Sequence, residues 1–152
     1  MPKTELDGLR DAAIPKKSWF GKRKDTYYEF LTHHGREVAE YEWPGYVLAT
    51  LLAYLQEERQ IDLMRSEFGD LSAFLTKQRG ATHFIFTESH KRAYLAQLAA
   101  ELFSEAQLRD YYNEFNETDE AEAGKPMLDG IGAIAQSLQS LEDGAVVVFI
   151  IG

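Results

Sequence analysis

The residues of this chain best suited to proton transfer or metal ligation are its four histidines, at positions 33, 34, 83 and 90, since it has no cysteine. His33 and Glu37 stand four residues apart, a spacing that puts an imidazole and a carboxylate on one helix face, where they could ligate zinc or iron. A catalytic metal needs at least three protein ligands, and no third one has a spacing that recommends it. His34 falls on an apolar stripe and suits a buried, hydrogen-bonded role. No metal and no other cofactor is expected.

His83 and His90 bracket a strand-to-helix turn, Thr87-Glu88-Ser89-His90, at a position where α/β folds often place chemistry. A small enzyme or ligand-binding domain would draw on His83, His90 and Glu88 at the C-terminal end of that strand. A nucleophilic Ser89 would also need an oxyanion hole, and the Gly-x-Ser-x-Gly elbow is missing. Helix capping by Thr87 or Ser89 accounts for the same residues. Asp129-Gly130-Ile131-Gly132-Ala133-Ile134-Ala135 matches the dinucleotide fingerprint formally, but it lies inside a helical stripe with no strand before it. Glycines that let a helix pack closely on a sheet explain it better.

Other candidates are binding surfaces. Between Lys16 and Lys24, five cations flank Trp19 and Phe20, a pattern that can hold phosphates and stack bases, or can be a solvated loop with its aromatics tucked inward. The run Glu117, Asp119, Glu120 and Glu122 lacks the order of a calcium loop and reads as a negative patch able to mask a basic partner. Trp43 and Tyr112 belong to an aromatic set that would serve as contact anchors if exposed.

The elements that must position these residues follow from periodicity and punctuation. Leu6, Leu9 and Ala13 suggest a short helix over 4–13, and residues 1–24 are a possible peripheral arm of a single domain spanning 1–152. Thr26 to Glu29 is a capping box that opens a helix running to about residue 40. Alternatively, Gly35 ends that helix and 36–43 continues as an edge strand. Pro44 starts a helix carrying Val47, Leu48, Leu51, Leu52 and Leu55, and another follows Asp70 and stops at Gly80. Thr82 to Thr87 reads as a strand, followed by a helix through Tyr94, Leu95, Leu98 and Leu102. A capping box at Ser104 opens the next helix, the acidic stretch after Glu117 is a loop, and Pro126 opens a last helix through Leu141. The chain then runs Ala145 to Ile151 without a polar residue, rich in β-branched side chains, which is the pattern of a strand buried on both faces.

These elements make one helix-rich α/β (α+β) domain, with a small sheet of strands near 82–87 and 145–151 and a possible edge strand near 36–43. At 152 residues the chain is the size of a single domain, and 45% hydrophobic content supplies a core. A formal charge of −9 disfavours nucleic acid and anionic membrane as partners and favours a basic one. Neither a secretion signal nor a spanning segment is visible, so a soluble, cytoplasmic protein is expected. The reading from sequence is a non-catalytic acidic interaction protein that binds or neutralises another macromolecule, a basic protein, as small inhibitors and immunity proteins do.

Overall fold

The two apolar runs read as strands pair with each other. In the computed structural model, which describes residues 1–17 and 23–152, Thr82–Phe86 lies antiparallel to Val147–Ile151, with Thr82 opposite Ile151 and Phe86 opposite Val147. The elements in chain order are α1 (Leu6–Ala12), β1 (Lys16–Lys17), β2 (Arg23–Lys24), α2 (Tyr27–His34), α3 (Gly45–Arg59), α4 (Gly69–Arg79), β3 (Thr82–Phe86), α5 (Glu88–Tyr94), α6 (Glu105–Asn116), α7 (Gly124–Gln139) and β4 (Val147–Ile151). β1 and β2 form a separate two-stranded ladder. The class is therefore helix-rich α+β with a small antiparallel sheet.

Helices cover both faces of the β3–β4 sheet. On one face, α3, α6 and α7 bury Leu51, Leu55, Leu108, Met127, Ile131 and Ile134 in the larger core, onto which Phe84, Phe86, Val147, Phe149 and Ile151 pack. On the other, α1, α2 and α4 contribute Leu6, Leu9, Tyr27 and Leu75 to a second core, joined by Ile85, Val146, Val148 and Ile150. The period-two alternation of the strands sorts their side chains between these two cores. Each β4 residue is nevertheless only half buried, because the strand has a neighbour in the sheet along one edge alone. The expected two-sided burial holds for its faces and fails at its edge.

Other expectations are corrected as well. Residues 1–13 are not a peripheral arm: Leu9 and Ala13 are fully buried, and Met1 to Lys3 pair with Val146 to Gly144. α2 stops at His34, where Gly35 turns extended. Residues 35–42 then form neither helix nor strand but a strap, so the possible edge strand is not formed. The helix expected through Leu102 ends at Tyr94 and continues as two short 3-10 turns, which send Leu98 into the larger core and leave Leu102 exposed. Gly130 meets α3, not the sheet: a Cβ there would sit 2.7 Å from Leu51 Cδ2. Among the described residues, no helix is long and apolar enough to cross a membrane.

Candidate interaction surface

The acidic run is held in shape by the end of α6. Ser104 caps that helix by accepting a hydrogen bond from the Gln107 N–H at 3.4 Å, and Glu117 ends it in the left-handed conformation, at φ 53°. Asn113 then clamps the following loop from three sides. Its Oδ1 accepts from Thr118 Oγ1 at 3.0 Å and from the Glu120 N–H at 2.8 Å, while its Nδ2 donates to the Glu120 carbonyl at 3.1 Å. Glu114, Glu117, Asp119, Glu120 and Glu122 all stand exposed on this ridge. None of them is ion-paired among the described residues, so their fields add without internal neutralisation. Sequence reasoning located the carboxylates and missed Asn113, because nothing in its spacing distinguishes a loop clamp from a surface amide.

Aromatic side chains flank the ridge. Phe115 is 52% exposed and stacks on Tyr111, whose hydroxyl donates to Glu57 Oε2 at 2.7 Å. Burial and the Glu57 carboxylate both raise the Tyr111 phenol well above its ordinary value. Tyr112, expected as a contact residue, is 2% exposed. Burial, aided by its contact with Tyr46, pushes its phenol up to about 12, and the exposed aromatic there is Tyr46. Trp43 is exposed at the end of the strap, with its Nε1–H donating to Asp129 Oδ2 at 3.0 Å. Lys125, at 2.9 Å from the same oxygen, is the main reason the Asp129 carboxyl lies below its usual value. Trp19 and Phe20 lie outside the described residues.

The histidines are dispersed. His33 and His34 end α2, so Glu37, out on the strap, shares no helix face with His33. His34 Nδ1 instead lies 3.0 Å from Glu5 Oε2, with its ring stacked on Phe30. Among the described residues, no group of three or more His, Asp or Glu side chains converges to hold a metal. His83 points into the second core against the edge of Tyr27, and its Nδ1 is 2.8 Å from the Ala81 carbonyl. Burial, helped by the charge on Arg79, lowers the His83 pKa.

His90 lies on the other face, against Phe86 and Tyr94. Its Nδ1 accepts from the Thr87 N–H at 3.1 Å, which makes Nε2 the protonated nitrogen that donates to the Arg65 carbonyl at 2.7 Å. Thr87 and His90 form a capping box at the start of α5. Histidine stands there in the place more often held by Glu or Gln. The sequence favours Thr87 or Ser89 as the cap of this helix, and the structure makes it Thr87 with His90 as its partner. Phe86, Thr87 and His90 are all buried, so the C-terminal end of β3 is filled with core side chains. Glu88 faces outward to Arg92, at 3.1 Å. His83, His90 and Glu88 are thus not brought together.

No protein family, curated protein or solved structure matches this chain. The clamped carboxylates and the exposed Phe115 beside them form an arrangement suited to holding a cationic surface by long-range attraction and short-range contact.

Proposed function

We propose that this protein is a non-catalytic interaction protein that binds and neutralises a basic protein partner in the cytoplasm, in the manner of an inhibitor or immunity protein. The observation that carries this reading is the ridge from Glu114 to Glu122, whose five carboxylates lack ion-pair partners among the described residues and whose loop is fixed by Asn113. Acidic loops without such a clamp would lose side-chain and backbone entropy on docking, and a preformed ridge avoids much of that cost. The chain-wide charge of −9 supports the same choice of partner, because it steers a cationic surface inward and repels polyanions.

The test is affinity capture of the tagged protein from its native lysate at moderate salt, with mass spectrometry and metal analysis of what is retained. A variant carrying Glu117→Gln, Asp119→Asn and Glu120→Gln is run beside it. One basic protein at stoichiometric yield, released by salt and bound about tenfold more weakly by the variant, is the expected result. A partner held equally by the variant overturns the reading, as does a bound metal or small molecule with no partner.

A further inference from the structure

Among the described residues, no strand pairs with the outer edge of β4. The His83 N–H donates to Thr76 Oγ1 at 2.9 Å, so it points away from β4, and His83 opposite Ile150 is one of the widely spaced pairs of the ladder. By the same alternation, Val146, Val148 and Ile150 turn their N–H and C=O groups outward. Met1 takes both groups of Val146, at 2.8 and 3.0 Å. Val148 and Ile150 have no such partner among the described residues.

Across from that edge runs the strap. A Cβ on Gly35 would lie 3.9 Å from Met1 Cε, and one on Gly45 would lie 2.6 Å from the Gly152 carbonyl. The strap therefore runs parallel to β4, and Gly45 pins its far end. Val146 to Gly152 spans about 20 Å as strand, whereas Gly35 to Gly45 can reach about 33 Å. The strap is thus longer than the span it covers. Its backbone from Arg36 to Trp43 makes no hydrogen bond among the described residues. Between strap and strand lies a groove of about 640 Å³, walled by Leu31 of α2 on one face of the sheet and by Leu48 and Ala133 of α3 and α7 on the other. A five-residue strand about 17 Å long, 4.8 Å wide and 10 Å thick fills roughly 800 Å³, so a modest outward shift of the strap admits one.

We infer that this groove receives an extended, basic segment of the protein partner, which joins the sheet as a strand beside β4. The inference rests on the proposed function and names where and how the partner docks. A segment in line with Met1–Lys3 is antiparallel to β4 on one side and to the strap on the other, the better-bonded geometry in both cases. Direct closure of the strap onto β4 would be a parallel pairing, with the surplus length still to be accommodated. Charge selects the occupant: the strap exposes Glu37, Glu40 and Glu42, while its cation Arg36 is paired with Glu142. The segment accordingly alternates apolar residues, which face Leu48 and Ala133, with lysine or arginine on the α2 side, where Thr32 is exposed.

The test uses the intact protein and a capped heptapeptide, Lys-Val-Lys-Val-Lys-Val-Lys, followed by amide exchange and amide chemical shifts. In the free protein the Val148 and Ile150 amides exchange fast beside slow Val147, Phe149 and Ile151. The peptide slows Val148 and Ile150 at least about tenfold, while a version N-methylated at alternate residues does not, and a Glu-for-Lys version binds at least about tenfold more weakly. Val148 and Ile150 already protected in the free protein, whether by the strap or by a second copy, overturns the inference. So do peptide-induced shifts confined to the 117–122 loop, although the proposed function survives that result. Edge protection by the peptide together with failure of the ridge variant to lose its captured partner would instead remove the ridge and keep the groove.

Discussion

Two glycines in α7, two residues apart, should respond differently to the same substitution: alanine stabilises at one and not at the other. Gly132 is exposed, and a Cβ there would have no neighbour within 4 Å, so Gly132→Ala gains helix propensity alone, about 1 kcal/mol. Gly130 is buried, and its Cβ would lie 2.7 Å from Leu51 Cδ2 and 3.2 Å from Leu48 Cδ2. Leu51, the nearer of the two, is completely buried, so its methyl cannot swing into free space. Overpacking of that kind costs about 1–3 kcal/mol, and the propensity gain offsets about 1 of it. Gly130→Ala should therefore range from neutral to about 2 kcal/mol destabilised. For a domain of this size each kcal/mol moves the melting temperature by about 2–4 °C. Urea titrations followed by circular dichroism at constant m-value give the comparison directly. If both variants gain the same stability, α7 does not approach α3 as closely as these distances say, and the packing explanation of the Gly-x-Gly-x-x-Ala pattern falls.

The capping histidine offers a second contrast. His90→Ala orphans the Thr87 N–H and the Arg65 carbonyl, at about 1–3 kcal/mol for each group left dry, whereas His90→Gln keeps an acceptor for Thr87 and should recover part of the loss. Equal destabilisation of the two variants would show that the ring serves only as filler. His83 predicts a pH effect. Its folded pKa lies below the ordinary value of 6.5, so the unfolded chain takes up the proton first as pH falls, and stability should decline below about pH 6.5, with no contribution above it. Chemical denaturation of wild type and His83→Phe between pH 7.5 and 5 checks this, and identical slopes would refute it. At the pinned end of the strap, Gly45→Ala drives a Cβ against the Gly152 backbone and Ile151. It should destabilise the fold by more than 1 kcal/mol, and no change in the urea midpoint would show that the strap is not held there.

The sequence was a good guide wherever side-chain type answers to a face. Leu48, Leu51 and Leu55 announced the buried stripe of α3, and Thr82 to Phe86 announced a strand whose alternate residues now divide between two cores. Ser104 announced the α6 cap. Where the outcome depended on what a segment touches, the sequence was silent. Gly35 was compatible with a helix running on or stopping, and in the fold it turns extended and ends α2. The histidines drew attention because their chemistry is versatile, yet His90 is occupied by a cap and His83 by a carbonyl in a dry core. Residue type could not tell a histidine that titrates usefully from one that simply completes its surroundings.

The end of the chain shows why the open edge escaped notice. An unbroken apolar run reports that side chains above and below the strand are covered, and for β4 they are. Whether the backbone has a neighbour on its second edge leaves no mark on side-chain composition, because N–H and C=O are the same at every residue. Exposed edges in stable proteins are usually blunted by charge, proline or a covering segment. Here Pro2 and Met1 cover only the first positions, and Val148 and Ile150 are shielded by a strap that makes no backbone bond to them. A strap that covers without bonding protects the edge from indiscriminate pairing and still leaves its hydrogen bonds available. Its own glutamates bias what may enter. Such an arrangement forgoes the stability that direct pairing of strap and strand would supply.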